Sequence, residues 1–227
     1  MSKDAVKIAL VSATPAAIGP ATQAITAAMP GAVIWNILDD RLLQDAGEQG
    51  GVTPNLSDRM TRLIQHAATE GADAVLLTCS LYGPVADTVG EALAIPVYAP
   101  DDAVFDAVIA SGHTDVLLVS AQPGPLADSL SRFEQAASAA GVTIAASGVV
   151  ATGAAQAALA GDISGLTACI WAAVTEVDAP SAVLLAQYSL APAAAQLEER
   201  MNIPVFSGPG SAATVLAATL ADGTVNS

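Results

Sequence analysis

Positive charge is what this chain has least of. Seven Lys and Arg residues stand against 22 Asp and Glu, leaving a formal net charge of −15. The seven, Lys3, Lys7, Arg41, Arg59, Arg62, Arg132 and Arg200, are scattered along the sequence. Nucleic-acid binding rests on clustered cations that displace phosphate counterions, so no nucleic-acid partner is expected. Most of the carboxylates read as a solubilising surface. An acidic protein that handles an anionic ligand must do so with backbone N–H groups and a few local donors.

Aromatic residues make up only 4% of the chain while hydrophobic residues make up 53%. That balance excludes a disordered chain and predicts a core of small aliphatic side chains. The only cysteines are Cys79 and Cys169, too few for a disulfide framework, and the reading is a cytoplasmic protein. There is no CxxC, HExxH or P-loop, and no GxGxxG follows the first strand-like run, so neither a metal nor a nucleotide cofactor is called for. The charge-free stretch 135–161 is broken by Gly141, Gly148 and Gly153 and fits a strand, a turn and a short helix better than a membrane span. Lys3 and Asp4 lead straight into a strand-like run, which does not fit a signal peptide.

What the sequence does have is an internal copy of itself. VKIALVSATP at 6–15 matches TDVLLVSAQP at 114–123. ADAVLLTCSLYGP, continuing to IPVYA at 99, matches PSAVLLAQYSLAP, continuing to IPVFS at 207, without a gap. Both matches share an offset of 108 positions (6 to 114, 72 to 180), which points to a duplication. Short apolar runs at 8–11, 32–37, 74–77, around 97, and at 116–119, 142–145, 182–185 and 203–206 read as buried strands. Helix-like segments at 20–29, 57–70, 84–93, 125–140, 165–177 and 192–201 lie between them. This βαβα alternation predicts an α/β protein of two pseudo-symmetric Rossmann-like lobes, each a parallel sheet flanked by helices. The first lobe is expected to span 1–99 together with 207–227, returning as a helix over 212–220, and the second to span 100–206.

Ligands of open parallel sheets bind outside the carboxyl ends of the strands, so the active site is expected in the cleft between the lobes. Those ends carry Ser12 and Thr14, then Thr78, Cys79, Ser80 and Tyr82, then Ser120 and Gln122, then Gln187, Tyr188 and Ser189. Cys79 follows a strand and precedes a helix, where the positive end of the helix dipole favours a thiolate. A lone cysteine is more often a small core residue, but Thr78 and Ser80 mark a polar strand end and favour a catalytic Cys79. In the repeat frame Cys79 falls on Gln187, whose amide donates and accepts hydrogen bonds but carries no proton to and fro near neutral pH. The serines, Thr14, Thr78 and Gln122 are candidate donors to a carboxylate or oxyanion, each equally readable as a cap or turn residue. Tyr82 and Tyr188 are each candidates to orient substrate or act as a weak acid, with packing at the cleft rim the better reading for both. Asp101 reads as a substrate acceptor or a helix cap, and His66 and His113 sit too far from the strand ends to serve as bases.

On these residues the chain resembles the aspartate/glutamate racemase superfamily, which includes hydantoin racemases, maleate isomerases and arylmalonate decarboxylase. The duplicated architecture, the LLTCS and LLAQYS segments and the Ile-Pro-Val steps carry the resemblance. In that family two cysteines, one from each half, commonly flank the substrate carbon, and Cys79 matches the first while Gln187 stands where the second would be. Arylmalonate decarboxylase works with one thiol, although its cysteine resembles the second-half position. The resemblance implies a cofactor-independent isomerase or lyase that transfers a proton at the carbon next to a carboxylate of a small substrate. With a single thiol, decarboxylation or elimination is expected over two-base racemisation. A covalent isomerase, a thiol hydrolase acting through Cys79 and a non-catalytic small-ligand binding protein remain alternatives, and a homo-oligomer is compatible with each.

Overall fold

The computed structural model describes residues 5–223. The chain divides into two compact units, one running to Pro100 and resuming at Pro209, the other Asp101–Gly208. In the first, β1 (Lys7–Ser12), β2 (Val33–Leu38), β3 (Ala74–Leu77) and β4 (Val97–Tyr98) form a parallel sheet in the order β2-β1-β3-β4. In the second, β5 (Asp115–Ser120), β6 (Ala145–Val150), β7 (Ala182–Leu185) and β8 (Val205–Ser207) repeat that order as β6-β5-β7-β8, again all parallel. Parallel neighbours need a crossover of a dozen or so residues, which the helices supply. They are α1 (Ile18–Ala28), α2 (Leu42–Glu48), α3 (Pro54–Thr69) and α4 (Gly83–Gly90) in the first unit and α5 (Asp102–Ala110), α6 (Pro123–Ala139), α7 (Ala154–Ala160), α8 (Ile163–Val174) and α9 (Ala194–Met201) in the second. The last, α10 (Gly208–Gly223), returns the chain to the first unit.

The uniformly apolar strands are explained by what covers them. Successive side chains of a strand point to opposite faces. Ala9, Val11, Val75 and Leu77 pack into one core with Leu42, Met60 and Ile64 of α2 and α3, and their neighbours Ile8, Leu10, Ala74 and Leu76 are equally inaccessible on the opposite face. In the second unit Leu117, Val119, Val183 and Leu185 face α7, α8 and α9, while Val116, Leu118, Ala182 and Leu184 face α5 and α6. Each Val, Leu or Ile side chain so taken out of water contributes about 1.5–3 kcal/mol, and the cover on both faces accounts for strands without polar alternation. In α3 the buried positions Leu56, Met60, Ile64 and Ala67 recur every three or four residues, the stripe of a helix with one face on a core.

Three elements depart from the sequence expectation. The strand expected over 142–145 begins at Ala145 and runs to Val150. Residues before it complete the end of α6: Gly141 takes a positive φ of 71°, its N–H donates to the Ser138 carbonyl and the Val142 N–H to that of Ala137. Val142 is thereby part of a helix-stopping motif, and the ladder starts at the Asp115–Ala145 pair. Helices α2 and α5 were not expected; they are only seven and nine residues long, too short for periodicity to stand out in an alanine-rich chain. Among the described residues no helix is long and apolar enough to cross a membrane.

Candidate functional site

Each sheet reverses its order between its first strand and the third, and the carboxyl ends of those two strands form a crevice suited to a ligand. In the first unit the crevice is built from Ser12, the last residue of β1, and from Thr78, whose N–H donates to the Val11 carbonyl at 3.1 Å and so carries the ladder one residue past β3. The Thr78 hydroxyl donates to the Ser12 hydroxyl at 2.8 Å in a buried contact. Cys79 comes next in extended conformation, 8% exposed, and the chain then turns through a 3₁₀ segment, Ser80–Tyr82, into α4, where Pro84 occupies the first turn. Ser80 is buried beside it.

The second unit repeats the backbone course with other side chains. Ser120 ends β5, the Ala186 N–H donates to the Val119 carbonyl at 2.9 Å, and Gln187 follows in extended conformation ahead of the 3₁₀ segment Tyr188–Ala193. Here it is the strand-end amide that is held. Gln187 Oε1 accepts the backbone N–H of Ala121 at 2.7 Å and lies 3.1 Å from the Ser120 hydroxyl, which also reaches the Gln122 carbonyl at 3.0 Å. A backbone N–H can only donate, so it fixes which end of the amide is oxygen. The Gln187 NH₂ is therefore on the other side, half-buried and with no hydrogen bond among the described residues.

The remaining candidates separate into two groups. Thr14 and Ser189 are half-buried and Gln122 is exposed, and none of the three side chains caps the helical segment it precedes or enters. Tyr82 and Tyr188 are inside. Tyr82 is fully buried and its hydroxyl donates to the Leu42 carbonyl at 2.9 Å; burial first, and the adjacent Cys79 second, push its ionisation up to about 12. Tyr188 is buried as deeply, its hydroxyl has no hydrogen-bond partner among the described residues, and burial together with Asp101 and Asp102 holds its ionisation well above the ordinary tyrosine value. Neither phenol is placed as a rim group, because each ring fills space beneath its 3₁₀ turn.

Asp101 does not cap α5 with its side chain; its carboxylate is buried and pairs with Arg132, which Asp128 also holds at 2.8 Å. His66 lies edge-on to Trp35 and His113 edge-on to Phe206. Cys169 sits in α8, where Gly153 leaves room for its sulfur. Sequence reasoning missed the clamp beneath Tyr82. Arg59 grips both oxygens of Asp39, at 2.5 and 2.6 Å, and reaches Asp45 at 2.9 Å, tying α3 to the end of β2 and to α2, whose first carbonyl holds the Tyr82 hydroxyl. Nothing short-range in the sequence links positions 39, 45 and 59. Among the described residues no group of three or more His, Cys, Asp or Glu side chains is arranged to hold a metal ion.

Comparisons with known proteins agree with this architecture. The sequence model described as Asp/Glu/hydantoin racemase matches residues 6–217. No curated protein matches the chain significantly by sequence. Among solved structures, the aspartate racemase of Picrophilus torridus superposes with a TM-score of 0.70 at 13% identity, over 94% of each chain. The glutamate racemase of Francisella tularensis in complex with D-glutamate superposes with a TM-score of 0.74 at 12% identity, over 98% of this chain and 83% of that one. Allantoin racemase from Klebsiella pneumoniae gives 0.68 at 18% identity, over 96% and 89%. At such identities the likeness is one of fold.

Proposed function

Because the chain belongs to the Asp/Glu/hydantoin racemase family, we propose that it is a cofactor-independent enzyme that moves one proton at the carbon next to a carboxylate, with Cys79 as its single proton-carrying thiol. The observation that carries this reading is the fixed amide of Gln187. Its oxygen is committed to Ala121 and Ser120, so it offers N–H donors where the repeat would otherwise place a second thiol. A group that only donates cannot take a proton from carbon, but it can hold an oxygen that is gaining negative charge.

The reading gives the two strand ends different parts of the reaction. Gln187 Nε2, the hydroxyls of Thr14 and Ser189 and backbone N–H groups at the turn starts bind the carboxylate and the enediolate oxygens derived from it. One well-aimed donor of this kind contributes about 3 kcal/mol to the transition state. In decarboxylation the bond to the departing CO₂ breaks, its electron pair spreads into the retained carboxylate, and the Cys79 S–H protonates the carbon. In β-elimination the Cys79 thiolate removes the proton and the pair expels the β-substituent. Either needs one proton transfer on one face, whereas racemisation needs a second acid opposite. Thr78, Ser80 and Ser12 position Cys79 and its turn, and Tyr82 and Tyr188 support the two turns from below.

The test is to incubate the enzyme in deuterated water with malonates, β-substituted propionates, amino acids, hydantoins and maleate. The expected result, dependent on Cys79, is either a decarboxylated product carrying deuterium on one face only or an unsaturated product formed with loss of the α-proton. An acyl adduct on Cys79 seen by mass spectrometry would replace this reading with a thiol hydrolase, and ligand-induced stabilisation without turnover would replace it with a binding protein.

A further inference from the structure

We propose that the second unit carries another small-molecule site, at the opposite end of its sheet from Gln187, that takes a small monocarboxylate with an apolar body. A pocket of about 340 Å³ opens where β7 and β8 begin, between the last turns of α8 and α9. Val174, Pro180, Met201 and Ile203 line it, and Trp171 and Arg200 form part of its wall. That volume lies at the lower end of the range of pockets that enclose organic ligands, and an apolar lining with one charged group is their usual composition. The Arg200 guanidinium lies over the Trp171 ring, 4.4 Å from its centroid. A guanidinium seated over an indole face keeps N–H groups to meet a carboxylate.

The charge argument joins an unpaired arginine to an apolar pocket. Arg41, Arg59 and Arg132 are each bonded to aspartates, whereas Arg62 and Arg200 make no ion pair among the described residues, and of these two Arg200 is the one at the pocket wall. In a chain of net charge −15 an arginine at the wall of an apolar pocket without a carboxylate is the complement of an incoming one. Glu176, Asp178 and Glu199 adjoin the lining segments and are exposed, which disfavours a second negative charge on the ligand and makes a monoanion the better fit.

The chain has two tryptophans, so Trp35→Phe leaves Trp171 as the only indole. In that protein, Trp171 emission is followed during titration with cyclohexanecarboxylate, cyclohexylmethanol and cyclohexylmethylamine. The expected result is a saturable change with the carboxylate bound about tenfold more tightly than the alcohol and the amine weakest, as for one charge-assisted pair. Arg200→Gln should remove the preference and keep the affinity for the alcohol; Arg200 is exposed, so the fold is not at stake. Cys79→Ala should leave the response intact. The proposal is overturned by the absence of a saturable change, by a carboxylate preference that survives Arg200→Gln, or by loss of the response in Cys79→Ala, which would trace it to the strand ends bearing Cys79 and Gln187.

Discussion

The two units share a strand order, a register and a backbone turn after the third strand, and they differ in which side chain bonds to the serine that ends the first strand. In the first unit that partner is Thr78, one residue before Cys79. In the second, position 186 is an alanine with no hydroxyl to give, and Gln187 itself reaches back to Ser120 and Ala121. A duplicated scaffold thus keeps the same serine at the end of its first strand and uses it for opposite ends, to support a residue next to a thiol and to immobilise an amide. Asymmetry of chemistry comes from two positions on otherwise matching backbones.

The strongest way to break the comparison is to remove the thiol. Cys79→Ala should lower turnover of the true substrate by about 10²–10⁴-fold, the usual share of a positioned acid or base, with the thermal transition little changed. Activity within a few-fold of the parent would take Cys79 out of the mechanism. The complementary change restores symmetry: Gln187→Cys supplies a second thiol and should bring racemisation or two-sided deuterium exchange that the parent lacks. If that variant folds and exchange stays on one face, the missing thiol is not what limits the reaction.

A smaller change isolates the donor role. In Gln187→Glu one carboxylate oxygen can still accept from Ala121 and Ser120, so stability should stay within about 1 kcal/mol. The other oxygen replaces the NH₂ and repels a substrate carboxylate, so KM should rise about tenfold or more while a kcat measured at saturation changes less. An unchanged KM would mean that the amide N–H groups do not meet the substrate.

How much of this was legible in the sequence follows from the range of the interactions. The duplication, the parallel sheets and the Cys79/Gln187 mismatch were readable because strand burial and helix-entry prolines leave local patterns. The facing of the Gln187 amide was not, since it depends on a contact 66 positions away at Ala121. Nor was the Arg59 clamp to Asp39 and Asp45, where three charged residues in an acidic chain look like ordinary surface. Nor was the depth of the two tyrosines: read as groups that orient substrate or pack at the cleft rim, both are buried, because burial of the ring outweighs the single hydroxyl.

Those tyrosines give the finest form of the comparison. Tyr82 has a carbonyl to bond and Tyr188 has no partner among the described residues, so the same loss of one oxygen should act with opposite sign. Tyr82→Phe removes a buried hydrogen bond to the Leu42 carbonyl and should cost about 1 kcal/mol, whereas Tyr188→Phe removes an unsatisfied buried hydroxyl and should be neutral or slightly stabilising. Chemical denaturation at neutral pH measures both. Alkaline pH adds a second reading of Tyr82. Its ionisation moves from the ordinary 10 to about 12 in the folded protein, so between those values the folded state keeps a proton that the unfolded chain releases. The associated stabilisation is complete below pH 10 and is lost as pH climbs to 12. Tyr82→Phe should therefore flatten the fall of stability across that window, leaving the part that Tyr188, raised in the same direction, contributes. An equally steep fall in Tyr82→Phe would show that the Tyr82 hydroxyl is not held as deeply as its bond to Leu42 requires.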